Sequence, residues 1–296
     1  MAYLGGAWGR LPENAVAVFC NTGKEVEQTY QFVKDFEENT GCLVTWLEYD
    51  RDDTRKGGLK DPKVLHKVVG FETASRNGEP FEKMIRGKNY VPNVAHRICT
   101  AELKVDVCRR WVKRDLGVDS HRDIIGFRWD EPKRWNESIA KARGTSKYDA
   151  GVDLLDPNEP PDGEEPLGKP PCSGRIKDYP LVLAQVTKRM VEDFWKPVPW
   201  GLRMNSDYGN CDLCFLKGRE KVVNIIREKP ELADWWINAE NIVKNRDIKK
   251  RDNKSKSMAF SERWSYENLK LIATTGLDLG DEPPDDSPHL PCFCFD

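Results

Sequence analysis

The stretch Ala15–Gly23, which reads AVAVFCNTG, decides the fold. It opens with a short continuous apolar run, and it closes with the turn signal Asn21-Thr22-Gly23. Apolar runs of this length are typical of a strand that is buried on both faces of a parallel sheet. The sequence therefore predicts a buried strand whose carboxyl end carries Asn21, Thr22 and Gly23.

The residues that follow complete a strand-helix-strand unit. Apolar side chains recur at helical spacing over residues 25–38, which predicts an amphipathic helix. Residues 43–49 are rich in β-branched and aromatic side chains and predict the next strand. Such a unit is the building block of parallel α/β sheets, so we expect an α/β fold.

Further along the chain the pattern changes several times. Residues 123–128 predict another buried strand, followed by a charged loop at 129–135, and residues 157–171 are rich in proline. Helices are predicted from Thr100, from a cap at Thr187, and over 219–228 and 231–244. The expected organisation has four parts: an α/β domain over 1–148, an acidic proline-rich insertion or linker over 149–178, a mostly helical portion over 179–276 and a flexible acidic tail over 277–296.

Composition limits the class of protein. The 47 basic and 49 acidic residues give a formal net charge of −2, so no global positive field attracts nucleic acid or membrane. No apolar run approaches the roughly 20 residues of a membrane span, and the N-terminus lacks the layout of a signal peptide. We therefore expect a cytoplasmic protein with no membrane partner, whose nine cysteines stay reduced.

Four segments carry the functional signal: FCNTGKE at 19–25, RICTAELK at 97–104, GFRWDEPKR at 126–134 and GNCDLCFLK at 209–217. In this order and spacing, together with Tyr179-Pro180-Leu181, they resemble the phosphoadenosine phosphosulfate (PAPS) reductase-like family, including its phage and prophage members. The resemblance covers roughly residues 15–245. It implies a Rossmann-like parallel sheet sandwiched by helices, ATP or PAPS as substrate, and either sulfate reduction or sulfur transfer.

The residues expected to bind the nucleotide or substrate lie at strand ends and in basic loops. Ligands of open α/β sheets bind at the carboxyl ends of strands, and the planar fork of arginine suits phosphate or sulfate. An ordinary strand-to-helix turn and a solvated charged loop are the structural alternatives. The candidate residues are Asn21, Thr22, Gly23, Glu25, Arg76, Arg97, Lys104, Arg128, Glu131 and Arg134.

The cysteines suggest a metal centre. The spacing of Cys211-x-x-Cys214 allows two thiolates to reach one metal. The resemblance adds Cys99 and implies a [4Fe–4S] cluster in which one of four ligands is unmatched. The fourth position is then open to sulfur, or is filled by one of three further cysteines: Cys172, Cys292 or Cys294. A zinc site, a redox dithiol and buried unligated cysteines are the alternatives.

One expected element is missing. The family opens with a Ser-Gly-Gly phosphate loop, whereas here Met1–Ala7 resembles the end of the helix that follows such a loop. Either the start codon is assigned too late, or the loop has been lost. Loss of the loop would favour a degenerate, non-catalytic nucleotide- or nucleic-acid-binding module with a structural zinc site. The basic run at 244–256 would support a nucleic-acid partner, and a sulfur-donor protein is a further possible partner.

Overall fold

The computed structural model describes residues 3–4, 7–8, 11–52, 64–143, 175–202, 204, 208–209, 211–245 and 258–276. Most of the predicted insertion, the whole predicted acidic tail and most of the basic run at 244–256 lie outside these residues. So do three cysteines that were candidates for the fourth ligand: Cys172, Cys292 and Cys294. The described chain forms two compact units. One comprises the described residues up to Arg110 and from Leu202 onward, and the other comprises those from Trp111 to Gly201.

The first unit is built on a mixed three-stranded sheet. Its order is β3 (Ala17–Asn21), β4 (Val44–Arg51) and β5 (Val64–Val69). β3 and β4 are parallel, with Asn21 opposite Glu48, whereas β5 runs antiparallel to β4. Two short strands before them, β1 (Tyr3–Leu4) and β2 (Ala7–Trp8), pair antiparallel with each other.

Helix α1 (Glu27–Thr40) covers one face of this sheet. Its Tyr30 stacks on Trp46 at 6.2 Å between ring centroids, and Phe19 meets Trp46 edge-on at 4.8 Å. Gly41 ends the helix in the left-handed conformation (φ 67°), as glycine commonly does. The aromatic contacts explain why the apolar stripe of residues 25–38 forms a helix at this place.

The segment after the sheet is helical but irregular. It contains α2 (Glu79–Lys88), α3 (Ile98–Thr100), a π-helical turn at Ala101–Val105 and α4 (Asp106–Arg114). α2 and the π-helical turn pack on β4, and the turn also packs on β3. β4 is therefore buried along its centre, over residues 46–49, and this buried stretch includes the charged Glu48.

The second unit is smaller. It contains β6 (His121–Ile124), α5 (Pro132–Arg143), β7 (Arg175–Asp178), α6 (Pro180–Leu183) and α7 (Lys188–Trp195). β6 and β7 form a parallel pair. Its core includes Phe127 stacked on Tyr179 at 5.7 Å between ring centroids.

The rest of the first unit is helical. A 3₁₀ turn at Phe215–Lys217 leads into α8 (Arg219–Glu228), α9 (Leu232–Lys244) and α10 (Tyr266–Thr275). An aromatic cluster forms the centre of this part and includes Phe81, Trp236, Phe260 and Tyr266. The helical cysteine-bearing portion and the three-stranded sheet thus belong to one compact unit.

Most elements agree with the sequence analysis, and the mixed α/β class is confirmed. α1, β4, α8 and α9 form where predicted, and the Thr187 hydroxyl caps α7 by accepting from Met190 N. Four predictions were wrong. β3 is a half-buried edge strand rather than a strand buried on both faces, and β6 ends at Ile124 rather than 128. α5 replaces the end of the predicted loop because proline suits a first helical position, and the first residues pair as strands.

Substitution of Gly78, which lies between α2 and Trp235 of α9, tests the packing of these two helices. Its φ is 83°, and a Cβ at this position would lie 2.4 Å from Trp235 Cε2. We expect Gly78→Ala to lower the free energy of unfolding by about 2–5 kcal/mol, because overpacking adds to the left-handed strain. Gly41→Ala is the matched control, since Gly41 shares the left-handed conformation but has no atom within 4 Å. Gly41→Ala should lower the free energy of unfolding by only about 1–2 kcal/mol. Urea unfolding of both variants measures the two losses. Equal costs would contradict the packing argument.

Glu240 in α9 provides a pH test. Its side chain is buried, Oε1 accepts from Phe260 N at 3.3 Å, and Lys244 Nζ lies 3.6 Å from Oε2. Burial raises the pKa of Glu240 above its ordinary value, despite the opposing charge of Lys244. A raised folded-state pKa means that Glu240 favours folding only while protonated, and this contribution is lost as pH rises through that pKa.

We therefore expect Glu240→Gln to be more stable than the wild type at pH 7, with the difference shrinking as pH falls towards the ordinary glutamate pKa of about 4.3. Urea unfolding at several pH values measures this. A stability difference that stays constant with pH would show that ionisation of Glu240 is not the cause.

Candidate functional site

The strand-end loop, residues 21–25, begins where β3 ends. The Asn21 amide donates to Glu48 Oε1 at 2.7 Å and to the Ser75 carbonyl at 2.8 Å, and its own oxygen accepts from Gly23 N at 2.8 Å. Glu48 also accepts from the Ser75 amide and hydroxyl. Asn21 therefore fastens the end of β3 to β4 and to the loop before α2.

Thr22 and Glu25 form a second group of hydrogen bonds within this loop. The Thr22 hydroxyl donates to the Glu25 carboxylate at 2.9 Å, and the Thr22 amide donates to the same carboxylate at 3.1 Å. Tyr30 Oη donates to Asn21 Oδ1 at 3.0 Å and lies 3.5 Å from Glu25. Burial, followed by the charge of Glu25, raises the pKa of Tyr30 far above its ordinary value, so its hydroxyl stays a donor.

Gly23 is needed for packing. Its φ is 77°, and a Cβ there would lie 3.0 Å from Gly78 Cα and 3.1 Å from Pro80 Cδ. The Gly23 carbonyl accepts from Gly78 N at 2.8 Å. Gly23 was a candidate nucleotide-binding residue, and on its Cβ side the loop that precedes α2 fills the space.

The cysteine loop, residues 211–214, joins directly to the strand-end loop. Glu25 and Cys211 form an antiparallel β-bridge, and the Asp212 amide donates to the Lys24 carbonyl at 2.7 Å. This backbone pairing brings Thr22 Oγ1 to 3.6 Å from Cys211 Sγ. Two motifs that lie far apart in the sequence therefore meet at the carboxyl end of the parallel pair β3–β4.

A buried ion pair reinforces the junction. Lys24 Nζ lies 2.8 Å from Asp212 Oδ2, and both side chains are only 7% exposed. The other oxygen of Asp212 accepts from Trp236 Nε1 at 2.8 Å and from Leu213 N at 2.7 Å. Lys24 Nζ also lies 5.0 Å from the Trp235 ring centroid. Every charge at the junction thus has a close partner, as buried charges require.

Cys211 and Cys214 lie on one turn. The Cys214 amide donates to the Cys211 carbonyl at 3.3 Å, and Tyr266 Oη donates to the carbonyl of Leu213 between them. Cys214 is buried and Cys211 is half-buried. Burial raises the pKa of Tyr266 well above its ordinary value, and the neighbouring Cys214 contributes in the same direction. The turn presents Cys211 as the more accessible thiol.

The third cysteine of the predicted cluster, Cys99, is the middle residue of α3 and is half-buried. Within the part of the chain that the structure describes, no group of three or more His, Cys, Asp and Glu side chains is placed to hold a metal ion. Cys211 and Cys214 share one turn, whereas Cys99 lies on α3. Addition of Cys99 as a third ligand stays a prediction.

The predicted basic residues of the first unit occupy separate places. Arg76 Nε donates to Glu27 at 2.9 Å, Nη1 donates to the carbonyls of Phe71 and Ala74, and the guanidinium lies 4.7 Å from the Tyr30 ring centroid. Arg76 is thus engaged in holding its own turn.

The other two basic residues of this unit flank Cys99. Arg97 immediately precedes α3, and Lys104 lies in the π-helical turn. The Lys104 carbonyl accepts from Cys20 Sγ at 3.6 Å, which ties the turn to β3.

The second unit brings together its three predicted residues. Arg128 Nη2 lies 3.0 Å from Glu131 Oε1, and Arg134 Nη1 lies 2.6 Å from the same oxygen. Glu131 Oε2 also accepts from Arg128 N at 3.1 Å. The Arg134 guanidinium packs on the Phe127 ring at 4.6 Å. Glu131 therefore orients both arginines, and Arg128 is the more exposed of the two.

Sequence reasoning missed Lys24, Asp212 and Trp235. The only available signal was a lysine directly after the Thr22-Gly23 turn and an aspartate inside the Cys-x-x-Cys motif. Nothing in either motif indicates that these charges meet, because the pairing depends on the fold of nearly the whole chain.

The chain is 23% identical over 205 residues to the uncharacterized nin region protein ORF290 of Escherichia phage lambda. The aligned region covers 69% of this chain and 57% of that protein. The matched region is thus little more than half of the relative's length. No protein-family model and no solved structure matches the chain. None of the helices in the described ranges combines the length and apolarity that a membrane crossing requires.

The buried ion pair makes a quantitative prediction. Lys24→Met leaves Asp212 charged and buried, so we expect the free energy of unfolding to fall by about 3–5 kcal/mol. Asp212→Asn should cost a similar amount, because it leaves Lys24 without its counter-charge. The double variant Lys24→Met/Asp212→Asn should cost clearly less than the sum of the single variants.

Lys83→Met is the control, because Lys83 pairs with Asp50 at 2.5 Å but is 52% exposed. Lys83→Met should lower the free energy of unfolding by less than about 1 kcal/mol. Additive effects of Lys24→Met and Asp212→Asn in urea unfolding would show that the two charges do not interact as the distance indicates.

Proposed function

We propose that this chain is a PAPS reductase-like protein that binds an adenine nucleotide or adenylyl sulfate and carries out sulfate reduction or sulfur transfer with an iron-sulfur cluster held in part by Cys211. One observation carries the proposal. The half-buried Cys211 thiol lies 3.6 Å from the Thr22 hydroxyl, at the carboxyl end of two parallel strands. Open α/β sheets bind their ligands at this end of the strands, so a metal held by Cys211 would lie close to the ligand.

The anionic part of the ligand requires cationic partners. Arg97, Lys104 and Arg128 are the residues for which the resemblance implies this role. Asp130 and Glu131 hold the Arg128 guanidinium in place through Nε and Nη2, and the side chain is 28% exposed, so Arg128 could reach an anion with its remaining N–H groups. Arg134, packed on Phe127, supports the same carboxylate and acts as a positioning residue in this proposal.

The proposed cofactor is a [4Fe–4S] cluster held by Cys99, Cys211 and Cys214, with zinc as the alternative metal. When bound, a cluster would supply electrons or an open iron for sulfur, whereas zinc would serve structure. Cys211 and Cys214 lie on one turn, as two ligands of one metal require. Without a metal, the same pair could act as a redox dithiol.

A second candidate is a non-catalytic module that keeps the fold and uses the cysteine loop as structure. The hydrogen bonding of the strand-end loop favours it: Asn21 and Thr22 bond within the protein, and the Cβ side of Gly23 faces Gly78. In that case a nucleic-acid partner or a sulfur-donor protein would have to be recognised elsewhere on the chain.

Nucleotide binding tests the proposal directly. We expect ATP or PAPS to bind the full chain in calorimetric titration, and Arg128→Ala to weaken binding by about tenfold or more, because a charge-assisted hydrogen bond is worth about 1.5–3 kcal/mol. Arg122→Ala is the matched control. Arg122 pairs with Asp178 at 3.6 Å and is 52% exposed, and its loss should leave the affinity unchanged.

Metal analysis after anaerobic purification separates the cofactors. Iron and acid-labile sulfide in near-equal amounts would support the cluster, and stoichiometric zinc would support the structural alternative. If neither ATP nor PAPS bound to the chain, the proposed function would be wrong and the non-catalytic module would be favoured.

A further inference from the structure

The junction between the two loops contains residues that the proposed function does not use. Lys24 and Asp212 are both buried and lie beside the residues of interest, since Lys24 follows Gly23 and Asp212 follows Cys211. Neither charged group is exposed enough to contact a ligand from solvent. Their place and their burial indicate a role in holding the loops rather than in binding.

The cysteine loop is held from two sides. On one side, the Glu25–Cys211 bridge and the Asp212–Lys24 contacts tie it to the strand-end loop. On the other side, Trp236 Nε1 and Tyr266 Oη bond to Asp212 and to the Leu213 carbonyl. Cys211 can therefore move away from Thr22 only if the loop breaks a buried ion pair or leaves the aromatic cluster.

The strand-end loop is equally constrained. Gly78 packs against Gly23 on one face and against the Trp235 ring on the other, and Trp235 in turn lies beneath Lys24. A ligand that shifts residues 21–25 must therefore shift Lys24, and Lys24 transmits the shift to Asp212. The contacts form one continuous chain from the carboxyl end of β3 to the cysteine thiol.

We propose that Lys24 and Asp212 are positioning residues that fix Cys211 beside Thr22, and that they couple the strand-end loop to the cysteine loop. A ligand at the strand-end loop then changes the reactivity of Cys211. Conversely, a covalent modification of Cys211 that displaces the cysteine loop changes the affinity for that ligand. The ligand half of this inference rests on the proposed function, whereas the positioning half does not.

Residue-resolved alkylation measures the positioning. The full chain is reduced, treated with a chelator and exposed to iodoacetamide, and modification of each cysteine is followed by mass spectrometry. We expect Lys24→Met to raise the alkylation rate of Cys211 by at least about tenfold, because loss of the ion pair promotes local opening of the loop. Cys42, which is buried elsewhere in the same unit, is the internal control: it reports global destabilisation, and its rate should rise far less than that of Cys211.

Three further variants define the cause. Lys24→Arg keeps the charge and should restore a rate close to that of the wild type. The double variant Lys24→Met/Asp212→Asn should lie between the wild type and Lys24→Met, since it leaves no unpaired buried charge. Lys83→Met, which breaks an exposed ion pair, should have no effect. A wild-type rate for Cys211 in Lys24→Met would overturn the proposal, and so would an equal rise at Cys42.

The ligand arm uses ATP and PAPS as probes. We expect the nucleotide that binds to change the alkylation rate of Cys211 several-fold in the wild type and in Lys83→Met, but not in Lys24→Met. Alkylated protein should then bind this nucleotide with an affinity that differs from that of the unmodified protein. Binding without any change at Cys211 would overturn the coupling and leave the proposed function intact. If neither nucleotide bound, the proposed function would fail, and the rates in ligand-free variants would still decide the positioning role.

Discussion

The buried ion pair between Lys24 and Asp212 is the contact on which the arrangement of the candidate site depends. Removing two charges from water is costly, and the protein tolerates it only when the charges lie close together and their remaining bonding positions are filled. Here the distance is 2.8 Å, and Trp236 and Leu213 fill the remaining positions of the carboxylate. The ion pair therefore fixes the relative position of two loops that belong to distant parts of the sequence.

The sequence was sufficient to predict elements whose signal is local. The run at 15–20 became β3, and helical periodicity located α1, α8 and α9. The sequence was insufficient for elements whose secondary structure depends on tertiary contacts. β5 alternates weakly and forms because it completes the edge of β4, and α2 begins within a segment whose Gly78-Glu79-Pro80 composition indicates a turn. There the proline takes an early helical position, and packing on β4 stabilises the helix that follows.

The candidate site was predictable in its parts but not in its assembly. Asn21, Thr22 and Cys211 were identified from motifs, and the structure brings the hydroxyl and the thiol together although they are 189 residues apart. The resemblance alone cannot reveal that Asp212 forms an ion pair with Lys24. Each of the two charged residues could equally well pair with a different residue at the protein surface. Burial decides which pairing matters, and burial is a property of the fold.

The hydrogen bonding of the strand-end loop implies a division of roles within the first unit. Asn21, Thr22 and Glu25 direct their polar atoms towards one another and towards the protein, so they are suited to hold the shape of the loop. A polyanionic ligand needs cations, and Arg97 and Lys104 flank Cys99 on a helical segment whose π-helical turn packs on β3 and β4. Turns of this kind are frequent at functional sites. The strand-end loop, by contrast, holds Cys211 in place through the Glu25–Cys211 bridge and through its own internal hydrogen bonds.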